Sequence, residues 1–513
     1  MISFFDWFSS QSEAKSRPWL ILGKGPSFSN RHLFDLSHFR TLSLNHAVRE
    51  QPVTVAHIID FDVVDACGDS LEKNAEFVVL PWMPHVKNRA GGKTLLDLLP
   101  KSPVLQRLDH QHRLLYYNLS TGQGERSGSP VVPVRYFSSE AALNLLTMAG
   151  VRQVRSLGID GGADYSQDFA DLKEKTLLAN SRSSFNRQFE EIAKTILRTG
   201  VDYAPLDVES PVRVFVACTE AEMLPVKVLA FSIRKHASMS VDVRPLCDTG
   251  IEIPVPRDRE NLARTPFSFQ RFLIPEAVGY KGRAIYLDAD MQVFKDIRAL
   301  WTRPFEGADV LTVQEPVDTG RRPQFSVMVL DCDSLKWNVR DIVKDLDKGR
   351  LSYATLMYEM AVAKSIRRCI DPAWNSLERF VEGTTALLHY TDMHTQPWVS
   401  RSHPLGYLWV RDLCEAIDMG VIAKAYVRDC AQKGFIRPSL LYQIEHRIED
   451  ALLLPRKIGL LDANFTAPYK RLPRHGSTPW LSPVHRLRAM VRHYYQKSHL
   501  AWAYKKWRNY TTR

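Results

Sequence analysis

The stretch RAIYLDADMQVF, residues 283–294, sets two carboxylates one residue apart, Asp288 and Asp290, between two apolar runs. Its apolar residues read as a buried strand. Burying two ionised carboxylates in such a strand is costly unless a cation compensates them. A bound divalent ion is the economical solution, and hard oxygen ligands suit magnesium or manganese, which keep open positions for substrate phosphates. The stretch is therefore read as a nucleotide-phosphate metal site at a strand end.

Three other Asp-x-Asp pairs occur, and each has a plainer reading. Asp345 and Asp347 fall on a surface helix. Asp60 with Asp62 and Asp331 with Asp333 close strands, where carboxylates serve turns and caps.

Working outward, a second α/β series surrounds the stretch. VRVFVACTE is a buried strand, LPVKVLAFSIRKH a helix and VDVRPL a strand; DVLTVQE and FSVMVLDCD follow as strands. From about residue 407 to 463 the pattern turns helical, with YLWVRDLCEAIDMG the clearest segment. Upstream lies an independent series: strand WLIL running into Gly-Lys-Gly-Pro-Ser, strand-like TVAHIID, helical SSEAALNLLTMAG and strand VRSLGID. Alternating strands and helices predict parallel α/β domains. The segment RTGVDYAPLDVESP, residues 198–211, reads as the linker between them.

A chain of 513 residues is long enough for two cores. The expected plan is a leader (1–17), a Rossmann-like nucleotide-binding domain (18–205), a second α/β domain (211–400), a helical extension (401–469) and a basic tail (470–513). Seven scattered cysteines with no CxxC spacing suggest neither a disulfide framework nor a zinc knuckle, so a reducing compartment is expected. The start MISFFDWFSS has no basic n-region, and no apolar run reaches the length of a spanning helix.

The net charge of +11 resides in the tail, where residues 470–513 hold eleven Lys or Arg and no acid, leaving 57 basic against 57 acidic residues upstream. Its Val484, Leu487, Val491 and Tyr494 fall at helical spacing among arginines, with Trp502, Trp507 and Tyr510 behind. A basic, aromatic amphipathic helix suits an anionic membrane surface. Nucleic-acid binding explains the charge but none of the motifs. The expected location is cytoplasmic, peripheral on the inner face of the membrane.

Five pieces in order, VFVACTE, FSFQRFLIPEAVGYKGRAIYLDADMQVFKDIRALW, FSVMVLDCDSLKW, PAWN and LLHYTDMHTQPW, resemble the family 8 glycosyltransferases, retaining enzymes of the GT-A fold that use a nucleotide-sugar donor. The resemblance covers residues 212–400. It implies that Asp288, Ala289 and Asp290 hold metal and donor, that His389 completes the metal site with manganese or magnesium, that Thr219 and Glu220 contact the nucleoside of a UDP-sugar, and that Arg271 binds the donor. The acceptor it implies is an oligosaccharide or glycolipid of lipopolysaccharide or another cell-surface glycan.

The chain departs from that pattern in places. Ten residues run from His389 through Trp398 where the family has nine, Gln396 replaces a lysine that neutralises diphosphate, and His394 is a rival ligand. Gln324, Phe325 and Ser326 stand where the family has Asn-x-Gly, and Glu359 is the candidate for its catalytic acid. These departures keep open an inactive, glycan-binding scaffold.

LGKGPS, LSLNHA and FSSEAALNLLTMAGVRQVRSLGID resemble the nucleotide-binding half of family 42 sialyltransferases and of motility-associated glycosyltransferases. That resemblance implies a second nucleotide site with Gly23, Gly25, Ser27, Asn45 and Ser139 facing a nucleotide such as CMP, in a second transferase or an acceptor-binding domain.

Overall fold

The computed structural model describes residues 1–468 apart from 12, 88, 173–183, 266 and 315–324. The expected tail helix at 470–513, with its membrane role, and Gln324 lie outside the described residues. Both units of the chain are α/β, as expected. They comprise Met1–Val212 with Arg234–Val241, and Arg213–Ile233 with the chain from Asp242 onward.

The first unit is built on a nine-stranded sheet in which every pairing is parallel. From one edge the order is Ile2–Ser3, Leu114–Leu119, Ala75–Pro81, Val53–His57, Arg40–Leu44, Trp19–Leu22, Gln153–Leu157 and Asp202–Pro205, with Val131–Val132 pairing onto Leu114–Leu119. Parallel sheets are covered on both faces, so their strands are apolar throughout rather than alternating. Trp19–Leu22 shows this: Trp19 and Ile21 enter one core, Leu20 and Leu22 the other. Successive strands step outward from Trp19–Leu22 to one side, and the chain then returns to place Gln153–Leu157 on its other side. The order reverses between these two strands.

Two expectations are corrected here. Residues 1–17 are no leader: Ile2 pairs with Leu115, and helix Phe4–Ser10, capped by Ser3, buries Phe4, Trp7 and Phe8. Their rings pack against the sheet, Trp7 4.7 Å from Phe77 and Phe8 5.8 Å from Trp19. Residues 198–211 are not all linker either, because Asp202–Pro205 is a sheet strand with Tyr203 and Ala204 buried.

The second unit carries a six-stranded mixed sheet in the order Val241–Pro245, Val212–Ala217, Arg283–Asp288, Val327–Asp331, Val310–Val313 and Ile366–Ile370. Arg283–Asp288 runs parallel to Val212–Ala217 and antiparallel to Val327–Asp331. A separate three-stranded sheet contains Met291–Val293, Leu387–His389 and Ser376–Leu377. Residues 283–294 thus contain two strands in two sheets, with Asp288 ending the first and Asp290 in the turn between them. Helices Gly406–Asp418, Lys424–Gln432 and Ser439–His446 belong to the same unit. Among the described residues no helix is long and apolar enough to cross a membrane.

Candidate functional site

Strand Arg283–Asp288 ends at Asp288, and the chain turns through Ala289, which is buried, and the half-buried Asp290 into Met291–Val293. The second strand pairs antiparallel with Leu387–His389, setting His389 opposite Met291. The register is pinned by Tyr390 N–H donating to the Asp290 carbonyl at 2.8 Å. As a result Asp288, Asp290 and His389 each offer a ligand atom within 4.8 Å of the others. His389 Nε2 lies 3.1 Å from Asp290 Oδ1.

Each of these three side chains is held from behind. Tyr286 donates its hydroxyl to Asp288 Oδ1 at 2.5 Å, and Arg271 Nη2 stands 3.8 Å from the same oxygen. Arg271 also donates to the Phe325 carbonyl at 3.2 Å and lies over the Tyr286 ring. Burial pushes the Tyr286 phenol well above its ordinary range; the Arg271 charge opposes that shift and the Asp288 carboxylate adds to it, so the phenol remains a donor. Asp290 Oδ2 accepts from Gln396 Nε2 at 2.9 Å, while Gln396 also donates to the Tyr390 carbonyl at 3.0 Å. His389 Nδ1 is 2.9 Å from Asn375 Oδ1. Burial alone would lower the imidazole's pKa, but the carboxylates of Asp290 and Asp288 outweigh it and the net shift is upward.

The donor set fits a hard divalent ion. Two carboxylates and one imidazole converge, the imidazole is oriented through its other nitrogen, and the carboxylates keep partners other than one another.

Two supports gave no signal in the sequence. Glu378 accepts from Thr391 Oγ1, from Asp392 N and, at 2.6 Å, from His403 Nε2. Burial opposes its ionisation, but these donors hold its carboxyl down at about 2. It thereby pins the loop that follows His389. Gln292 ties Tyr390 to the helical region: Tyr390 donates to Gln292 Oε1 at 2.7 Å, and Gln292 Nε2 donates to Asp412 Oδ2 at 2.6 Å. Asn375, inside the PAWN segment, was legible as a motif residue but not as the partner of His389.

The remaining expected residues fall less directly. Thr219 is engaged in a capping box, donating to Glu222 Oε2 at 2.9 Å. Glu220 is exposed and pairs with Lys433 at 3.2 Å. Glu359 lies exposed at the C-terminal end of helix Tyr353–Tyr358, outside the carboxylate and imidazole cluster. His394 is also outside that cluster; its backbone N–H donates to Asp392 at 3.0 Å.

In the first unit, Gly23, Gly25, Asn45 and Ser139 line a cavity of about 970 Å³, while Ser27 does not. The amides of Gly23 and Gly25 are already engaged within the fold. Gly23 N and Gly25 N donate to the Leu157 and Gly158 carbonyls at 2.7 and 2.9 Å. These glycines serve close approach: a Cβ on Gly23 would sit 2.2 Å from Gly158 O. Ser27 Oγ accepts from Gly158 N, and Ser139 Oγ donates to Gln188. Asn45 adopts φ 51° and donates to Ser138 Oγ at 3.2 Å. The cavity opens beyond Trp19–Leu22 and Gln153–Leu157, where the strand order reverses and open parallel sheets bind ligands.

No family model matches the chain. Over 94 residues it is 34% identical to Protein CDI of Arabidopsis thaliana, a match spanning 18% of this chain and 36% of that protein, or about a third of the relative's length. Among solved structures, galactosyltransferase LgtC in complex with donor and acceptor sugar analogues aligns at 12% identity over 41% of this chain and 96% of that one, with a TM-score of 0.30. The glycosyltransferase GlyE of Streptococcus pneumoniae TIGR4 aligns at 15% identity over 41% and 65%, TM-score 0.30. The bifunctional glycosyltransferase WbbM aligns at 11% over 48% and 61%, TM-score 0.29. Likenesses at this level leave the reading of the site to its own chemistry.

Proposed function

We propose that the second unit is a metal-dependent glycosyltransferase of the GT-A type, moving a hexose from a UDP-sugar to an oligosaccharide or glycolipid acceptor of lipopolysaccharide or another cell-surface glycan. The observation that carries this reading is the convergence of Asp288, Asp290 and His389 at a strand end. Manganese or magnesium bound there supplies a Lewis acid for the charge that develops on a departing diphosphate. The chain's own residues do the positioning: Arg271 and Tyr286 hold Asp288, Asn375 aims His389, and Gln396 holds Asp290. The Gln396 amide, which stands where the resemblance has a diphosphate lysine, is read here as a support of Asp290. No strong protein base is required, because the departing phosphate can take the acceptor's proton while the protein positions both reactants. Donor and lipid-linked acceptor meet on the cytoplasmic face of the inner membrane, and the basic aromatic sequence at 470–513 supports that placement.

The test is calorimetry of UDP on the full chain with and without manganese, followed by hydrolysis screening with UDP-galactose and UDP-glucose. Metal-dependent UDP affinity is expected. Equal affinity in both conditions, or none, overturns the reading.

A second reading, a nucleotide site in the first unit serving a CMP-sugar, is favoured by Lys24. Its ammonium lines the cavity, stands over the Tyr165 ring at 4.6 Å and forms no ion pair among the described residues. Burial pushes its pKa down to about 8. An anionic phosphate would restore the charged form. Calorimetry of CMP should show binding that Lys24→Met removes; equal heats in both proteins would sink this reading.

A further inference from the structure

Three sulfur atoms converge beyond the end of strand Val212–Ala217. Cys218 Sγ lies 3.3 Å from Cys247 Sγ, and Met223 Sδ lies 3.9 Å from the first and 3.8 Å from the second. They come from three elements: Cys218 directly follows the strand, Met223 opens helix Met223–His236, and Cys247 sits in the turn Leu246–Asp248. Cys218 is fully buried and Cys247 is exposed, so the cluster is anchored on one side and reachable from solvent on the other.

The two thiols are not bonded to each other, since a disulfide needs about 2.05 Å between sulfurs and these lie 3.3 Å apart. It does suit an ion. The point equidistant from the three sulfurs lies about 2.1 Å from each. A metal–thiolate bond of ~2.3 Å is reached by raising the ion slightly out of that plane. The anchor is preorganised, because the Cys218 backbone is held twice by one side chain: its N–H donates to Gln270 Oε1 and its carbonyl accepts from Gln270 Nε2, each at 2.8 Å. Two thiols and a thioether are soft donors, which select copper(I) and reject the oxygen-seeking ions suited to Asp288 and Asp290.

We propose that Cys218, Cys247 and Met223 form a binding site for a single soft metal ion, copper(I), chemically separate from the carboxylate and imidazole site. Binding displaces thiol protons to solvent and leaves the oxidation state of the metal unchanged. Neither cysteine spacing nor methionine content marks a site whose ligands meet only after folding.

The test is an anaerobic titration of reduced full-length protein with copper(I) against a chromophoric copper(I) chelator. One equivalent should be withheld from the chelator by the native chain, lost in Cys247→Ser, and held about tenfold more weakly in Met223→Leu, which removes one of three donors. Cys369→Ser should behave as the native chain. Copper(I) left entirely with the chelator, or withheld equally by Cys247→Ser, overturns the proposal. So does a reduced protein that binds no copper(I) and instead yields a Cys218–Cys247 disulfide in air, since that makes the cluster a redox pair. Because Cys247 is exposed in a short turn, its serine variant is expected to fold, and an unchanged circular dichroism spectrum and urea midpoint verify this.

Discussion

Asn375 Oδ1 accepts from His389 Nδ1 at 2.9 Å, and this one contact sets which ring nitrogen faces Asp290. With Nδ1 engaged by Asn375, Nε2 is the ring nitrogen that faces the carboxylates, 3.1 Å from Asp290 Oδ1. Partners of this kind typically govern metal affinity by about 10- to 100-fold. Asn375→Ala should therefore weaken manganese binding by about that factor with little change in stability, read by calorimetry in the presence of UDP. Unchanged affinity would remove Asn375 from the site.

Asp290 faces His389 through one oxygen and Gln396 through the other. Asp290→Asn keeps the shape and removes the charge. Metal-dependent transfer should fall below detection while the urea midpoint holds; undiminished turnover would exclude Asp290 as a ligand.

Gln396 is buried and donates to Asp290 and to the Tyr390 carbonyl. Gln396→Lys sets an ammonium against the carboxylate, where it competes with a bound cation. Manganese affinity should drop by at least about tenfold, corresponding to ~1.4 kcal/mol. Tighter diphosphate binding in that variant would show that position 396 faces the donor instead.

Glu140 is buried at the start of helix Ser138–Met148 and accepts from the backbone of Arg135 and Tyr136. Burial pushes its carboxyl up to about 7 despite those donors. A carboxyl whose folded pKa exceeds its unfolded value holds its proton more tightly in the folded state. Its stabilising contribution is present below the ordinary value of 4.5 and is lost as pH rises through about 7. Urea unfolding at about pH 5 and pH 8 should show stability falling across this window, and Glu140→Gln should flatten the fall by about 1 kcal/mol or more. Parallel pH profiles for the two proteins would assign the fall to other groups.

Trp7 is buried against Phe77 in the helix that the amino-terminal stretch forms. Trp7→Ala should cost about 3 kcal/mol of first-unit stability by urea unfolding, through the cavity it leaves. A cost near zero would return residues 1–17 to the status of a dispensable leader.

Much of the fold was legible where apolar residues form unbroken runs. Trp19–Leu22 matches its expected bounds, and Ser138–Met148 and Met223–His236 lie where their apolar patterns put them. Asp202–Pro205 was not legible, because a four-residue strand beginning with Asp and ending with Pro carries the composition of a turn. The short apolar start of the chain was misread for a related reason: Phe4, Trp7 and Phe8 need a sheet to bury them, and that sheet comes later in the chain. At the candidate site, Asp288 and Asp290 were legible from their polarity against apolar flanks. Glu378 and Gln292 were not, since their partners Thr391, His403, Tyr390 and Asp412 lie far along the chain.

The sequence by itself determined that two carboxylates terminate a buried strand, because spacing along a strand is local and the cost of burying charge can be read from neighbouring residues alone. Only the tertiary structure decided that the strand breaks between sheets at Ala289, that His389 arrives through the register Met291↔His389, and that Gln396 turns toward Asp290. Those relationships depend on long-range pairing, whose register is selected by burial of whole strands rather than by the residues at the site.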